Sequence, residues 1–493
     1  MRNEIRFLRR GQPVRLNGVS PTLTLLDYLR LHEHAVGTKE GCAEGDCGAC
    51  TVVLRKHIGG ALRYQPVNAC VLLAGQADGA EIITVEDLAD GGALHPVQQQ
   101  MAALHGSQCG FCTPGFVMAL FALYHQDTNA QLDRNRVNDW IAGNLCRCTG
   151  YRPIVDAALS SCRGPAADRF ADQENAVAAA LSAIEEDDDL FAGDDARFFA
   201  APASLEALAA LYAKHPDAVL VAGATDVGLW ITKKLQTLPK IIWLGRVRGL
   251  DAIAEVDGAV TFGATVTHEA AIPHLAAIDP DLGELMRRFA GTQIRAVGTI
   301  GGNIANGSPI GDTPPALIAL GATLTLQKGH TTRDLALEDF FIAYGKQDRA
   351  AGEFVLRVRV PKLATRERFR CYKISKRFDQ DISAVMGAFK FTLAGSRVES
   401  ARIAFGGMAA TPKRARQAEA ALAGADLDDA ASWQPALAAI AADYTPLTDQ
   451  RASATYRGDV ARALLRKALI EVGGTSSTDT RVVGVRETAH ANS

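Results

Sequence analysis

Eight of the ten cysteines in this chain fall into two groups of four. The first group has the spacing C-x4-C-x2-C…C and consists of Cys42, Cys47, Cys50 and Cys70. This is the plant-type spacing of thiolates that hold a [2Fe–2S] cluster. The glycines among these thiolates, Gly41, Gly45 and Gly48, predict unusual backbone dihedrals that bring amide N–H groups close to the sulfur atoms. A zinc site is the disfavoured alternative, since structural zinc prefers paired C-x2–4-C knuckles, and a disulfide is less favoured still.

The second group has the spacing C-x2-C…C-x-C and consists of Cys109, Cys112, Cys146 and Cys148. Two thiolates one residue apart must approach a metal centre from the same side of an extended backbone. Cys109 and Cys112 are then expected to face them from the start of a helix. This spacing favours an iron–sulfur cluster and leaves a zinc site open.

The overall composition is that of an ordinary folded protein and excludes several function classes. Hydrophobic residues make up 48% and charged residues 22% of the chain, which excludes global disorder. Lys and Arg number 52 against 55 Asp and Glu, without a long basic run, so nucleic acid is not an expected partner. Neither an export signal nor an apolar stretch of roughly 18 residues is present, so we expect a cytoplasmic protein without a membrane segment. In that reducing compartment, clustered thiols bind metal or do redox chemistry.

The first third of the chain contains two predicted domains that carry the cysteine groups. The full length of 493 residues corresponds to about three or four domains. Residues 1–85 predict a β-rich domain with one helix near residues 23–31. Residues 86–163 predict a compact helical domain with helices at 96–105, 114–125, 134–142 and 153–161. Residues 164–196, rich in alanine and acidic side chains, are predicted as a linker with some helix.

The remainder of the chain predicts two further mixed domains and a tail. Residues 197–370 predict an α/β or α+β domain with strands at 218–222, 241–244, 259–264 and 322–327. Residues 371–473 predict an α+β unit in which strands at 385–393 and 398–406 precede alanine-rich helices. Residues 474–493 are predicted as a loose polar tail. The expected fold class is therefore multidomain α+β.

Three segments that contain the cysteines, at residues 37–51, 105–115 and 143–153, closely resemble the iron–sulfur domains of the xanthine oxidase family of molybdenum hydroxylases. The resemblance implies two [2Fe–2S] clusters, the first in a ferredoxin-like β-grasp domain and the second in a four-helix domain. Cys162 and Cys371 lie outside the family pattern, and we expect them to be buried and unligated. Gln108 matches a family glutamine that contacts the molybdopterin cofactor of the catalytic domain. The alternative for Gln108 is a loop residue that caps the next helix.

Two glycine-containing segments, at residues 220–227 and 297–304, each predict a tight turn whose amide N–H groups would converge on anionic oxygens. Neither matches the G-x-G-x-x-G fingerprint, which excludes a Rossmann dinucleotide site. Each segment alone is more often a plain turn. Because they follow two cluster motifs, they are similar to the FAD domain of the same family, a flavin fold of the vanillyl-alcohol-oxidase type.

This resemblance also implies the residues that bind the flavin. Those around its pyrophosphate and ribityl chain are Leu220, Val221, Ala222, Gly223, Ala224, Thr225, Asp226, Val227, Thr299, Ile300, Gly301, Gly302 and Asn303. Asp226 stands where many relatives have glutamate. Phe289 matches an aromatic residue beside the flavin, with core packing as the alternative. Asp312 and Lys373 match two polar contacts, and a solvated strand end is the alternative for Lys373.

Tyr344 and the loop at residues 375–382 match the region that governs access of NAD to the flavin in dehydrogenase members of the family. Asp381 is the residue we nominate for this role, with an Asx turn before a strand as the alternative. The C-terminal domain resembles the flavoprotein C-terminal domain of the family and has no chemical motif of its own.

The resemblance covers nearly the whole chain and implies the small iron–sulfur and flavin subunit of an enzyme of the bacterial xanthine dehydrogenase type. The implied partner is a large molybdopterin subunit in an α2β2 heterotetramer that oxidises hypoxanthine and xanthine to urate, so no catalytic residue is expected here. Electrons would pass from molybdenum to the second cysteine group, the first cysteine group, FAD and then NAD. FAD is needed because it accepts single electrons and delivers a hydride. The alternatives are an equivalent subunit of an aldehyde- or other purine-hydroxylating enzyme, a stand-alone electron carrier and a zinc-binding interaction protein.

Overall fold

The computed structural model describes residues 2–58, 60–126, 132–184, 188–474 and 480. The predicted polar tail at 474–493 lies outside the described residues except for 474 and 480, and so do residues 185–187 of the acidic segment. Sheets and helices alternate through four successive units, which confirms the predicted multidomain α+β class. Among the described residues, every helix is too short or too polar to span a lipid bilayer.

The N-terminal unit is a five-stranded mixed sheet with one short helix against it. Its strands are β1 (Ile5–Arg9), β2 (Gln12–Leu16), β3 (Thr51–Ile58), β4 (Ala61–Asn68) and β5 (Glu81–Ile83), in the order β2-β1-β5-β3-β4. Helix α1 (Leu25–Asp27) continues into a π-helical turn, Tyr28–His32, where the sequence predicts one helix. Alternation along β3 divides its side chains, because Val52 and Leu54 pack in the core of this domain whereas Val53 packs against the helical domain.

The second unit is a bundle of four helices. These are α2 (Pro96–Ala103), α3 (Thr113–Tyr124), α4 (Arg134–Ile141) and α5 (Arg152–Ser161), and they confirm the four predicted helices with ends that differ by one or two residues. Proline lies in the first turn of α2, α3 and α5, where its missing N–H costs no hydrogen bond. Helix α3 is buried on all sides from Gly115 to Tyr124, so it forms the centre of the bundle.

The segment predicted as an acidic linker contains regular secondary structure and packs against the units on both sides of it. It contains α6 (Arg169–Asp172), α7 (Glu174–Ile184) and β6 (Leu190–Gly193), which is the edge strand of the next sheet. Phe170 is buried in the core of the helical domain, and its carbonyl oxygen accepts a hydrogen bond from the buried Arg55 of β3. The prediction rested on alanine and acidic content and on a lack of aromatic residues, and it overlooked Phe170 and also Phe191, which packs against the core of the third unit.

The third unit consists of two sheets and a hairpin. Its strands after β6 are β7 (Phe198–Ala201), β8 (Val219–Val221), β9 (Lys240–Trp243), β10 (Ile253–Val256), β11 (Ala259–Gly263), β12 (Thr323–Lys328), β13 (Thr331–Ala336), β14 (Phe341–Ala343), β15 (Lys346–Gln347) and β16 (Phe354–Pro361). The first sheet has the order β6-β7-β9-β8 with parallel β7, β9 and β8, and the second has the antiparallel order β10-β11-β16-β12-β13. The four strands predicted in this region are confirmed as β8, β9, β11 and β12.

Seven helices connect and cover these sheets. They are α8 (Leu205–Lys214), α9 (Val227–Thr232), α10 (His268–Ile278), α11 (Pro280–Arg288), α12 (Thr292–Arg295), α13 (Ile300–Asn306) and α14 (Thr313–Leu320). Side-chain hydroxyl caps start α8 and α13, where Ser204 and Thr299 accept hydrogen bonds from backbone N–H groups three residues on. The cap at Thr299 fixes the start of the second glycine segment.

The C-terminal unit is a four-stranded antiparallel sheet covered by helices. Its elements are β17 (Glu367–Ile374), β18 (Val385–Ala394), β19 (Arg397–Gly406), β20 (Lys413–Arg414), α15 (Arg416–Leu422), α16 (Gln434–Asp443) and α17 (Ala454–Val472). The strands predicted at 385–393 and 398–406 are confirmed as β18 and β19. Helix α14 of the third unit packs against β18 and β19, so the two units share a contact surface.

His95, His125 and Asp168 form a buried polar cluster that ties the segment after α5 to the helical bundle. The Nε2 atoms of His95 and His125 lie 2.7 and 3.1 Å from Asp168 Oδ2. These atoms are close enough to hold a metal ion. However, Nδ1 of His95 accepts a hydrogen bond from the Val97 N–H, so its Nε2 must carry the proton and donate to Asp168. The three side chains are therefore joined by hydrogen bonds, and we call this cluster the tether between the helical bundle and the segment after α5.

We expect Asp168→Asn to lower the free energy of unfolding by about 1–3 kcal/mol at pH 7, because two buried imidazoles lose their charged acceptor. Burial opposes ionisation of Asp168, but hydrogen bonds from His125 and His95 outweigh it and hold the pKa of this carboxyl below its usual range. Its stabilising effect is therefore complete above the unfolded-state pKa of about 3.9 and is lost as the pH falls toward the folded-state value. Urea unfolding at decreasing pH should show the difference between wild type and D168N shrinking below about pH 4.

Asp172→Asn is the matched control, because Asp172 is exposed on the same short helix. It should change the free energy of unfolding by no more than about 0.5 kcal/mol. An equal loss of stability in both variants would contradict the tether.

Candidate functional site

The four thiols of the first cysteine group converge in one loop region. Cys42 Sγ is within hydrogen-bonding distance of the thiols of Cys47 and Cys70, and Cys70 also contacts Cys50. The backbone N–H groups of Cys47 and Glu44 approach Cys42 Sγ at 3.3 and 3.5 Å. This close approach of amides to sulfur is what the glycine-rich spacing predicts.

The loop conformation depends on its glycines. Gly45 and Gly48 have φ values of +76° and +68°, which a side chain would strain. Gly41 has an ordinary φ, but a Cβ there would lie 2.9 Å from Cys47 Sγ. The sequence did not indicate that Ala43 also adopts a positive φ, of 54°.

The electrostatics of this group fit a metal cluster. The hydrogen bond from the Cys47 thiol lowers the pKa of Cys42, whereas the hydrogen bond to Cys42 raises the pKa of Cys70. Without a cation, the four neighbouring thiols cannot all ionise to thiolates, because their negative charges repel one another. A cationic centre removes that conflict, because thiolates are the form that ligates iron.

The second cysteine group also converges, but nearer the surface. Cys148 is within hydrogen-bonding distance of Cys109, and Cys112 of Cys146. Cys112 directly precedes helix α3, so this pair faces the C-x-C segment from a helix start as predicted. Cys109 and Cys148 are exposed, whereas burial raises the pKa of the partly covered Cys112 thiol to about 12.

The sequence also makes predictions for Gln108, which precedes the second cysteine group, and for the two cysteines outside both groups. Gln108 is exposed on the loop immediately before Cys109. Cys162 and Cys371 are buried and lie outside both groups, and the Sγ of Cys162 faces the carbonyl oxygen of Leu120. Because Gln108 is exposed, it is accessible to another chain.

A cavity of about 970 Å³ opens between the turn after β8, the start of α13 and the loop before β18. This volume is at the upper end of the range of small-molecule and cofactor sites, about 300–1,000 Å³. The predicted flavin-site residues on its wall are Leu220, Ala222, Gly223, Ala224, Thr225, Asp226, Val227, Phe289, Thr299, Gly301, Gly302, Asn303, Asp312 and Lys373. The two glycine segments thus lie at one cavity although they are far apart in the chain.

The turn after β8 needs its glycine for packing. A Cβ at Gly223 would overlap the carbonyl oxygen of Val297 in the second glycine segment. The carbonyl oxygen of Ala222 accepts hydrogen bonds from Gln76 Nε2 of the N-terminal unit and from Trp243 Nε1 of β9. The turn is therefore fixed from two sides. Asp226 is accessible from the cavity, and desolvation by the surrounding walls raises its pKa.

A buried polar network lies at another part of the cavity wall. Lys373 Nζ is 2.5 Å from Asp312 Oδ2 and donates to Ser383 Oγ at 3.0 Å, while Ser383 Oγ donates to Asp312 Oδ1 at 2.5 Å. All three residues are buried, so the alternative of a solvated strand end for Lys373 is wrong. Ser383 was missed because nothing in its sequence neighbourhood distinguishes it from an ordinary residue before a strand.

His268 is a second residue that the sequence did not indicate. Its ring lies 4.6 Å from the ring of Phe289, and both residues line the cavity. Burial lowers the pKa of His268 to about 3, so the imidazole is neutral at physiological pH. Its Nδ1 has no hydrogen-bond partner among the described residues. The pair of His268 and Phe289 therefore gives this part of the cavity wall an aromatic, uncharged lining.

Three of the predicted residues do not line the cavity. Val221 and Ile300 point into the hydrophobic cores, because consecutive residues of a strand or helix cannot all face one side. Tyr344 lies in the β14–β15 hairpin and is 75% exposed. Asp381 does line the cavity, and its carboxylate accepts hydrogen bonds from the N–H groups of Arg377 and Ile382. These bonds come from the residues four before and one after Asp381, and not from the N–H two residues on that defines an Asx turn, so the hydrogen bonds of this loop do not match the alternative for Asp381.

The first cysteine loop forms part of this same cavity wall. Glu44, Gly45 and Asp46, which lie between Cys42 and Cys47, are among the lining residues. Thr232 Oγ1 of α9 donates to Ala43 O at 2.7 Å, which holds the loop against the third unit. The first cysteine group is therefore adjacent to the cavity, and the second group is not part of its wall.

Four family models match successive parts of this architecture. A 2Fe-2S iron–sulfur cluster binding domain matches residues 8–74, and a [2Fe-2S] binding domain matches residues 84–159. The FAD binding domain in molybdopterin dehydrogenase matches residues 194–363, and the CO dehydrogenase flavoprotein C-terminal domain matches residues 370–472. A chain of reconstituted CO dehydrogenase from Oligotropha carboxidovorans is 30% identical, with 56% of this chain and 97% of that chain covered, and a TM-score of 0.53. The chain belongs to the molybdenum hydroxylase family.

Two of the curated relatives have names that refer to xanthine. Xanthine dehydrogenase of Emericella nidulans is 32% identical over 503 residues, covering 89% of this chain and 36% of the relative. Xanthine dehydrogenase/oxidase of Rattus norvegicus is 31% identical over 459 residues, covering 83% of this chain and 34% of the relative. This chain spans about a third of the length of these relatives.

Membership of the molybdenum hydroxylases confirms the family resemblance seen in the cysteine motifs. The chain corresponds to the iron–sulfur and FAD electron-transfer region of the molybdenum hydroxylases of the xanthine dehydrogenase family. The matched [2Fe–2S] models also favour iron over the zinc alternative that the spacing of the second group left open.

We expect Gly223→Ala to reduce FAD content while both iron–sulfur clusters remain. The new methyl group would overlap Val297 O and displace the turn, and overpacking of this kind costs about 1–3 kcal/mol. Where this cost falls on the flavin-bound state, it weakens binding by about 5- to 150-fold. Flavin absorbance and iron content per purified chain would measure the change.

Gly458→Ala in α17 is the matched control, since a Cβ there would meet nothing within 4 Å. It should retain full flavin content. If G223A bound as much FAD as G458A, the turn after β8 would not be part of the flavin site.

Proposed function

We propose that this chain is the electron-transfer part of an enzyme of the xanthine dehydrogenase type, linking a molybdopterin partner subunit to NAD. The observation that carries this proposal is the position of residues 44–46 of the first cysteine loop on the wall of the FAD-sized cavity. One-electron centres held by the cysteines would thereby lie next to a two-electron acceptor. FAD supplies the conversion between single electrons and a hydride equivalent.

The accessibility of the two cysteine groups supports an order of transfer. Cys109 and Cys148 of the second group are exposed, whereas Cys50 and Cys70 of the first group are buried. Electrons from another chain would enter at the exposed group and continue to the buried group beside the cavity. Gln108, exposed beside Cys109, is our candidate for the contact with the molybdopterin of the partner.

Residues of this chain have separate proposed tasks at the flavin. The turns around Gly223 and Gly301, which line the cavity, would accommodate its phosphate and ribityl parts through their backbone amides. The Lys373–Asp312–Ser383 network would offer hydrogen bonds from fixed positions. Asp381, on the loop that lines the cavity, is our candidate for control of NAD access.

The xanthine dehydrogenase type is our choice among several molybdenum hydroxylases. Curated relatives named xanthine dehydrogenase or xanthine dehydrogenase/oxidase align with 82–89% of this chain at 29–32% identity, and these relatives support the choice. We propose a large molybdopterin subunit as partner, an α2β2 assembly in the cytoplasm, and hypoxanthine and xanthine as substrates. An aldehyde- or other purine-hydroxylating partner is the second candidate, since the substrate pocket would belong to the partner.

Isolation of the tagged chain from its native cells should recover a molybdenum-containing subunit, and the complex should reduce NAD with xanthine. In the same complex, Cys148→Ala should remove one of two [2Fe–2S] signals in paramagnetic resonance and abolish NAD reduction while FAD stays bound. Cys162→Ala is the control, because Cys162 is buried outside both groups. Asp381→Ala should weaken turnover with NAD more than turnover with an artificial dye acceptor.

The possible outcomes of this experiment distinguish the candidate functions and test the residue assignments. Recovery of the chain without a molybdenum subunit would favour a stand-alone electron carrier, and oxidation of aldehydes but not purines would favour the second candidate. Two unchanged cluster signals in C148A would refute the assignment of the second cysteine group. Equal losses with NAD and with the dye in D381A would remove the role of Asp381 in NAD access.

A further inference from the structure

The two cysteine loops and the turn that follows Phe289 meet at one buried point. Gly48 lies between Cys47 and Cys50, Gly143 lies just before Cys146, and Gly291 lies two residues after Phe289. A Cβ at Gly48 would overlap the carbonyl oxygen of Gly143, and a Cβ at Gly291 would lie 2.5 Å from Gly143 Cα. Backbones from three units therefore touch with no side chain between them.

Three polar side chains, one from each unit, lock this contact, and we call them the junction triad: Thr51, Asn144 and Gln293. Each is at most 1% exposed. Gln293 Nε2 donates to Asn144 Oδ1 at 2.7 Å and to Thr51 Oγ1 at 3.2 Å. Asn144 Nδ2 donates to Gly48 O at 3.0 Å, and Thr51 Oγ1 donates to the same oxygen at 2.6 Å. Both N–H bonds of the Gln293 amide are therefore used.

A single backbone hydrogen bond next to the triad connects the two cysteine groups. The Leu145 N–H donates to the carbonyl oxygen of Cys47 at 2.9 Å. Leu145 is bonded to Cys146 of the second group, and Cys47 belongs to the first group. This hydrogen bond therefore joins Leu145, the direct neighbour of a cysteine of the second group, to Cys47, a cysteine of the first group.

The backbones at this junction approach closely although one acceptor there is left unpaired. Gln293 Oε1 is buried without a hydrogen-bond partner among the described residues, and it occupies the space that a Cβ of Gly143 would need. A buried acceptor left unpaired lowers stability. The junction therefore keeps the three backbones in contact at a cost in stability.

We propose that Thr51, Asn144 and Gln293 are positioning residues that fix the separation between the two cysteine groups and the flavin cavity, and thereby set the rate of electron transfer between them. This inference rests on the proposed function. The step moves one electron from the reduced centre of the second group to the oxidised centre of the first, with no bond made or broken. Tunnelling weakens exponentially with distance, so loosening the junction slows transfer without removing either centre.

The test uses the purified full chain with its iron and flavin. Gln293→Leu removes the donors while nearly keeping side-chain size, and Thr51→Val removes the shared hydroxyl with little change of shape. Gln65→Leu is the matched control, since Gln65 Nε2 also joins the first and third units by donating to Ala296 O at 3.2 Å. A substoichiometric pulse of reduced methyl viologen is followed by flavin absorbance, and the coupling between the two cluster spins is measured in fully reduced samples.

In Q293L and T51V we expect the concentration-independent phase of flavin reduction to slow severalfold and the spin coupling to weaken, with iron and FAD content unchanged. Q65L should match wild type in both measurements. An unchanged phase and coupling in Q293L, or an equal slowing in Q65L, would overturn the proposal. If Q293L fails to hold its cofactors, T51V decides the question by the same two measurements. A wild-type chain without iron or without an internal phase would instead refute the proposed function itself.

Discussion

The contact between the first cysteine loop and the flavin cavity is the constraint on which the other features depend. Electron transfer between two centres requires that little protein separate them, so the loop must touch the cavity wall directly. Backbone atoms make this contact, because Ala43 O accepts from Thr232 Oγ1 at 2.7 Å and Asp46 O accepts from Gln380 Nε2 at 3.3 Å. The N-terminal unit therefore cannot shift against the third unit without breaking hydrogen bonds at the electron path.

Buried charge is used in this protein to hold positions between units. Arg55 of the N-terminal sheet pairs with Glu81 and donates to Phe170 O, which anchors the segment that leads to the third unit. Lys373 of the C-terminal sheet pairs with Asp312 of the third unit at the cavity. Such pairs contribute little net stability, because desolvation offsets their attraction. Their value here is that each fixes a side chain from one unit against another, which keeps a site built from several units in register.

The sequence predicted the parts whose chemistry demands particular residues at particular spacings. Thiolate ligation requires cysteine, so both cysteine groups and their family were recognisable, and apolar periodicity gave the four helices and six strands. Side-chain direction within a motif was less predictable, as Val221 and Ile300 point into the cores although their neighbours line the cavity. His268, Ser383 and Gln293 acquire their roles only from residues distant in the chain. One-dimensional patterns carry no signal for such contacts.

The most direct measurement of the central claim is an anaerobic reductive titration of the purified chain, followed by paramagnetic resonance and flavin absorbance. Our account predicts two distinguishable [2Fe–2S] signals that each take up one electron, together with a flavin that takes up two. Electrons added in small amounts should redistribute between clusters and flavin within the same molecule. A chain that contains zinc in place of iron, or that binds no flavin, would contradict the account.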